Sequence, residues 1–344
     1  METPVLQGER LHGRDLRLKG FNEFLSSKPD LKMVIFAGKG GLGKTTCSAA
    51  LSYAVCSSKK VLCFSTDPQA SLSDIFERNI FGKGEVEIIP NLFVVEIDAD
   101  SKISAYINDI KQKIRDMYKT EIPPEIESYI DSSVAEPAMY ESATYDAMAS
   151  YLAEGRYGLY VFDMPPFGHG IRMVTMAEIL SAWVEKLTEA REKAREYDEI
   201  ARKLKGEKLI KEDEVLNELY DIKNRLTTFT DVMKDRNKAA FFMVITPERM
   251  SIIDTEKALE MFKSVGLELA GIVVNKVLPP EMASNPSPFI ANRLKQQREC
   301  MTEIMDKFGK LVISIIPMFP KEPRGIEGIA AVSQPLMSGG VEWT

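Results

Sequence analysis

A glycine-rich loop with two lysines constrains the fold of this chain more than any other feature. Residues 38–45 read GKGGLGKT, which matches the phosphate-binding pattern G-x-x-x-x-G-K-[ST]. The loop follows an apolar run, Met33–Ala37, and precedes a helical pattern, as the pattern requires. Backbone N–H groups of such a loop converge on phosphate oxygens. We therefore expect a nucleotide-binding α/β domain.

Short apolar, β-branched runs recur along the rest of the chain with helical stretches between them. Near-continuous hydrophobicity of this kind is typical of parallel strands that are covered on both faces. We therefore predict a doubly wound, mainly parallel sheet. The predicted strands are Met33–Ala37, Val61–Ser65, Phe93–Ile97, Leu159–Asp163, Phe241–Thr246, Ala270–Asn275 and Val312–Ile316.

Two stretches with apolar residues at helical spacing interrupt this alternation, and they predict an inserted all-helical subdomain at 101–155 and 171–236. A structural lid or a dimer scaffold is one interpretation of that subdomain. The remaining predicted units are an N-terminal segment at 1–31, a nucleotide-binding domain at 32–100, 156–170 and 237–335, and a tail at 336–344.

Composition excludes several classes of protein. With 44% hydrophobic and 28% charged residues, the chain resembles an ordinary globular protein and not a disordered one. It has no apolar stretch of membrane-spanning length and no apolar core of a signal peptide near its start, so a cytoplasmic location is expected. A net charge of −7, without a basic stripe interleaved with aromatics, argues against a nucleic-acid partner.

The loop pattern assigns roles to individual residues. Lys44 should reach the β- and γ-phosphates of ATP, the Thr45 hydroxyl should ligate Mg²⁺, and the backbone near Thr46 should lie by the α-phosphate. The glycines that let the backbone curl around the phosphates are Gly38, Gly40, Gly41 and Gly43.

Two acids follow predicted strands at the edge of the sheet where ligands bind. Asp67 can orient a water for in-line attack, and it is also a candidate for the magnesium shell. Asp163 can hold Mg²⁺ through water. The alternative for both residues is that each merely caps the loop that follows it.

Three further segments, taken with the loop, resemble the arsenical-pump-driving and tail-anchored-protein-targeting ATPases, which are signature-lysine phosphate-loop ATPases. Residues 65–74, STDPQASLSD, are similar to switch I of that family, and residues 163–172, DMPPFGHGIR, to switch II. The block PERMS at 247–251, continuing to Thr255 and Glu256, is similar to a later block. The resemblance extends over the whole chain.

This resemblance implies a homodimer in which Lys39 reaches across the interface to the partner's nucleotide and serves catalysis there. It also implies that Asn275 and Pro317 lie on the adenine side of the nucleotide and that Glu248 touches nucleotide across the dimer. The Asn275 amide offers a donor and an acceptor that match the adenine edge.

The chain departs from the family at several positions. Ala70 stands where switch I usually has histidine, and residues 164–168 replace the usual TAPTG of switch II. The cysteine pair that clamps zinc at many dimer interfaces is missing, because the matching stretch 287–292 contains no sulfur. We therefore expect ATP and Mg²⁺ as ligands and no zinc.

The function that the resemblance implies is an ATP-hydrolysing homodimeric switch that binds and delivers hydrophobic, tail-anchored membrane-protein segments, with transient visits to the membrane. The alternative is the ATPase motor subunit of an arsenite or anion efflux pump, partnered by a membrane subunit. No cysteine lies between Cys63 and Cys300, so the helical subdomain lacks thiolates for arsenite. Residues 171–183 follow switch II as the client-binding helix of the targeting enzymes does, although ordinary core packing explains them equally well.

Overall fold

The computed structural model describes residues 18–65, 71–98, 137–164, 214–284, 286–341 and 343, together with single positions between 101 and 108 and short groups between 181 and 204. Eight strands form one sheet. They are β1 (Met33–Ala37), β2 (Val61–Ser65), β3 (Val86–Ile89), β4 (Leu92–Glu96), β5 (Leu159–Asp163), β6 (Ala239–Ile245), β7 (Leu269–Val277) and β8 (Val312–Pro317).

The strand order is β3-β4-β2-β5-β1-β6-β7-β8. Every neighbouring pair is parallel except β3 and β4, which form an antiparallel hairpin at one edge. The prediction of a mainly parallel, doubly wound sheet is therefore confirmed. The sequence analysis missed β3, because this strand has four residues of which only Ile88 is fully buried.

Eight helices and one 3₁₀ turn are described. They are α1 (Gly20–Ser27), α2 (Lys44–Val55), α3 (Ser71–Phe76), α4 (Pro137–Glu154), α5 (Glu214–Lys234), α6 (Arg249–Ser264), α7 (Pro288–Phe308), α8 (Gly325–Ser338) and the 3₁₀ turn Pro280–Ala283. Within the described part of the chain, none of the helices has the length and apolar character needed to cross a membrane.

Both faces of the sheet are covered, as the alternation along β1 shows. Met33 and Ile35 lie in one buried cluster with residues of α4, α5, α6 and α7. Val34 and Phe36 lie in a second cluster, on the other face, with residues of α1, α2, α3 and α8. Successive side chains of a strand point to opposite faces, so each strand contributes to both layers of the core.

The last helix of each predicted helical insertion packs against this sheet. In α4 and α5, Tyr145 and Phe229 stack edge to face at 4.8 Å and share a cluster with Phe162 of β5. These two helices therefore also cover the sheet. The division into a nucleotide-binding domain and a helical subdomain stays a prediction, and most of 101–136 and 165–213 lies outside the described residues.

The segment that precedes β1 also belongs to the core. Phe21 of α1 is fully buried, with its ring centroid 4.6 Å from that of Phe242 in β6. The charged sequence around it gave no sign of this packing. Part of the predicted N-terminal segment therefore seals one face of the sheet.

The outer edge of β8 is closed by residues that follow α8. The Ile315 N–H donates to the Gly339 carbonyl at 3.1 Å, and the Ile315 carbonyl accepts from the Val341 N–H at 3.2 Å. Gly339 and Gly340 have φ values of 101° and 104°. A Cβ at Gly340 would lie 2.0 Å from the Ile315 oxygen, so this approach depends on glycine.

Candidate functional site

The glycine-rich loop joins β1 to α2 in a conformation that two glycines make possible. Gly38 has φ 148°, and a Cβ there would lie 2.6 Å from the Val244 carbonyl oxygen of β6. Gly43 has φ 94°, and its Cβ would lie 2.3 Å from Nδ2 of Asn275 in β7. Side chains at these positions would push the loop off the sheet edge, which explains why the pattern demands glycine.

The first turn of α2 carries Lys44 and Thr46, predicted to hold the phosphates, and Thr45, predicted to ligate Mg²⁺. Lys44 is 5% exposed, and its Nζ donates to the Lys39 carbonyl at 3.2 Å, so the loop curls around its own lysine. Thr45 and Thr46 follow in the same turn. Because the first N–H groups of a helix lack partners within the helix, this turn offers donors to an anion.

Asp163 of β5 and Thr45 of α2 meet beneath the loop. The Thr45 hydroxyl donates to Asp163 Oδ2 at 2.6 Å, and Ser65 Oγ of β2 lies 3.4 Å from the same oxygen. Asp163 is fully buried. Hydroxyl and carboxylate oxygens are the ligands that Mg²⁺ prefers, so Thr45 and Asp163 fit the predicted metal role.

The negative charge of Asp163 affects two cysteines in the core, Cys47 and Cys63. Burial raises the pKa of the Cys63 thiol to about 12, opposed by a hydrogen bond with Ser52 and aided by the charges of Asp163 and Glu96. Burial and then the Asp163 charge raise the pKa of the Cys47 thiol as well. Both cysteines are therefore neutral core residues behind the site and not nucleophiles.

Asn275 holds the loop from the β7 side. Its Nδ2 donates to the Leu42 carbonyl at 2.8 Å, and its Oδ1 accepts from the Lys276 N–H at 2.9 Å. One amide N–H and one oxygen lone pair remain for other partners. The adenine role that the resemblance implies for Asn275 stays a prediction.

Lys276 also contacts the loop, and the sequence analysis missed this residue. Its Nζ donates to the Gly41 carbonyl at 2.7 Å, and its backbone has φ 59°. The available signal was a basic residue directly after Asn275 at the end of a strand, but nothing in the sequence shows where that side chain reaches.

Lys276, whose side chain reaches the loop, also lines a cavity of about 450 Å³. Its walls include Thr246, Glu248, Lys276, Leu278, Gln297 and Met318. Glu248 faces α7, since its Oε1 lies 3.8 Å from Nη2 of Arg293. Pro317 ends β8 at the same edge of the sheet. Glu248 therefore lines the same cavity as Lys276, the residue after Asn275. The nucleotide roles of Glu248 and Pro317 stay predictions.

Lys39 points away from the phosphate ligands of its own loop. Its side chain is 59% exposed, and its Nζ lies 3.5 Å from Oδ2 of Asp254 in α6. The sequence analysis did not single out Asp254. The role of Lys39 across a dimer stays a prediction.

The predicted catalytic residue Asp67 lies outside the described residues, as do most of switch II and all but two positions of 171–183. The structure does describe how α3, directly after 66–70, is held. Glu96 of β4 is buried and accepts from the Leu72 and Ser73 N–H groups at 2.7 and 3.1 Å. Burial raises the pKa of its carboxyl despite these donors. An acid at the end of the apolar run 92–95 was the signal for this anchor.

Comparison with known proteins agrees with this geometry. The sequence model of the anion-transporting ATPase family matches residues 31–338. The putative arsenical pump-driving ATPase 2 of Aquifex aeolicus is 29% identical over 90% of this chain and 100% of its own length. The ATPase ASNA1 homolog 2 of Paramecium tetraurelia is 28% identical over 88% of this chain and 92% of its own. The ATPase GET3A of Arabidopsis thaliana is 27% identical over 90% and 84%.

Proposed function

Because the chain belongs to the anion-transporting ATPase family and is an ATPase, we propose that it works as a homodimeric switch that binds hydrophobic membrane-protein segments and delivers them to a membrane. Its relatives carry two kinds of name, arsenical pump-driving ATPase and ATPase ASNA1 or GET3. The proposal follows the second kind, with a cytoplasmic protein that visits the membrane transiently.

The position of the cysteines is the observation that favours delivery over an arsenite pump. Cys47, Cys56 and Cys63 are buried, and burial raises the pKa of each thiol. Cys300 lies alone on α7. Trivalent arsenic needs thiolates that converge on it, and these four thiols do not supply such a group.

Nucleotide binding, in this proposal, is the work of the loop and the first turn of α2. Backbone N–H groups and the Lys44 ammonium hold the phosphates, and Lys44 comes already buried and curled into its loop. Thr45 and Asp163 would hold Mg²⁺. When bound, that ion supplies charge neutralisation at the β- and γ-phosphate oxygens.

Hydrolysis is assigned to two residues whose roles rest on the resemblance and on their places in the sequence. Asp67 orients and deprotonates the attacking water. Lys39 of one subunit neutralises charge that develops on the nucleotide of the other, as an arginine finger does. The Lys39 side chain is exposed, which suits a contact with a second subunit.

The test uses co-expression with a model client, one apolar helix of about 20 residues at the C-terminus of a soluble carrier. The matched control client carries two lysines in the middle of that helix. We expect the apolar client to co-purify with a dimer, the lysine-bearing client to be lost, and arsenite to leave the ATPase rate unchanged. Failure to retain the apolar client, together with arsenite-stimulated hydrolysis, would favour the pump subunit instead.

A further inference from the structure

The end of β7 is distorted where it meets the phosphate loop. Val274 pairs with Ile315 of β8, but Val277 pairs with Pro317. Between these two pairs β7 therefore advances three residues while β8 advances two. Val274 and Val277 accordingly lie in the same core cluster, although residues three apart in a regular strand point to opposite faces. A β-bulge of one extra residue therefore contains Asn275 and Lys276.

This bulge brings two consecutive side chains onto one loop. In a regular strand, Asn275 and Lys276 would point to opposite faces of the sheet. Here Lys276 takes a left-handed backbone with φ 59°, which costs energy for a residue with a Cβ. As a result Lys276 Nζ reaches the Gly41 carbonyl and Asn275 Nδ2 reaches the Leu42 carbonyl, at 2.7 and 2.8 Å.

Planarity of the peptide bond gives this arrangement a consequence. The Gly41 carbonyl and the Leu42 N–H belong to one trans peptide unit and point in opposite directions, and so do the Leu42 carbonyl and the Gly43 N–H. Two carbonyls drawn toward β7 therefore turn two successive N–H groups away from it. Successive N–H groups that share a direction form an anion-binding nest.

We propose that Lys276 is a positioning residue that orients the amides of the phosphate loop for nucleotide. This inference rests on the proposed nucleotide-binding function and adds a residue to it. The strained backbone at Lys276 supports it, because strain of this kind persists where the surroundings over-determine it and clusters at functional sites. Lys276 acts on the nucleotide through Gly41 and the loop, so its effect should fall on affinity and not on the chemical step.

Three variants separate positioning from folding. Lys276→Asn keeps a residue that tolerates the left-handed backbone but removes the long donor. Lys276→Arg keeps a long donor. Lys295→Asn, at an exposed position of α7, is the matched control for a lost positive charge. The measurements are the Kd of ATP without Mg²⁺, KM and kcat for hydrolysis, and Tm.

We expect Lys276→Asn to raise the Kd and KM about five- to tenfold, the range of one lost hydrogen bond, with kcat and Tm unchanged. In Lys276→Arg the Kd should stay within about twofold of the wild-type value, a range below the cost of one hydrogen bond. Lys295→Asn should leave the Kd unchanged. An unaltered Kd in Lys276→Asn would overturn the proposal, as would a loss of affinity that a fall in Tm of the same variant fully explains.

Failure of the nucleotide-binding part of the proposed function would look different, because wild-type protein would then bind no ATP. Hydrogen exchange without nucleotide still tests Lys276 in that case. Faster exchange of the Leu42 and Gly43 amides in Lys276→Asn than in Lys295→Asn would support the positioning role. Equal exchange in the two variants would refute it.

Discussion

Lys39 Nζ lies 3.5 Å from Asp254 Oδ2 of the same chain. The ammonium that is proposed to act on a partner's nucleotide is thus paired with α6 of its own subunit. The pair is partly exposed, with side chains 59% and 34% accessible, and ion pairs near the surface are worth about 0–1 kcal/mol. The pair is therefore weak enough to break when two subunits close, and strong enough to bias the resting position of Lys39.

Removing this partner should favour the active arrangement. We expect Asp254→Asn to raise the steady-state rate of ATP hydrolysis by up to about fivefold, the limit set by an exposed pair. In a Lys39→Ala background, where hydrolysis should already be abolished, the same substitution should restore none, because the ammonium that it frees is absent. Equal stimulation in both backgrounds, measured by phosphate release, would dissociate Asp254 from Lys39.

Mixed dimers test whether Lys39 acts across the interface. Lys39→Ala should abolish hydrolysis and leave most nucleotide affinity intact, and Asp67→Asn should reduce turnover about 10²-fold or more. A dimer with one chain of each kind retains one composite site with both residues intact, so partial activity should return. Lys44→Ala is the control that loses nucleotide binding itself. Mixed dimers as inactive as their parents, alongside a normally active Lys39→Ala enzyme, would exclude the trans role.

Asp163 is expected to couple magnesium to the nucleotide. Asp163→Asn keeps the size of the side chain but removes the charge that faces Thr45. ATP affinity measured in EDTA should change little, whereas the gain in affinity on adding Mg²⁺ should fall by at least about tenfold, as expected for a lost charged ligand. Thr45→Ser keeps the hydroxyl and should retain most of that gain. A full magnesium effect in Asp163→Asn would assign the metal to other residues.

Thiol reactivity should follow the burial of the four cysteines. Burial raises the pKa of Cys63 to about 12, so this thiol stays protonated in the native protein at pH 7 to 10. In the unfolded chain a thiol ionises near pH 8.5, so the unfolded state loses protons that the native state keeps, and stability should fall above that pH. Alkylation of native protein at pH 8, followed by mass spectrometry, should label the half-buried Cys300 first. Early labelling of Cys47 or Cys63 would contradict the packing.

The sequence predicted those parts of the site that depend on neighbours along the chain. Strand ends and a loop pattern were enough to bring Thr45 and Asp163 to one edge of the sheet. The sequence analysis missed Lys276 and Asp254. Their contacts depend on a bulge in β7 and on how α6 packs beside the loop, and neither feature changes the periodicity of the sequence. The hairpin strand β3 escaped for a related reason, since an edge strand of four residues carries too little apolar signal.

The closed edge of β8 bears on how this protein behaves at high concentration. An unpaired strand edge is a template on which other molecules add strands and aggregate. Here the backbone of residues 339–341 occupies that template at Ile315, and the closure depends on a position where no side chain fits. Gly340→Ala should therefore change catalysis less than storage stability. Its effect would be visible as slow growth of light-scattering particles in a concentrated sample.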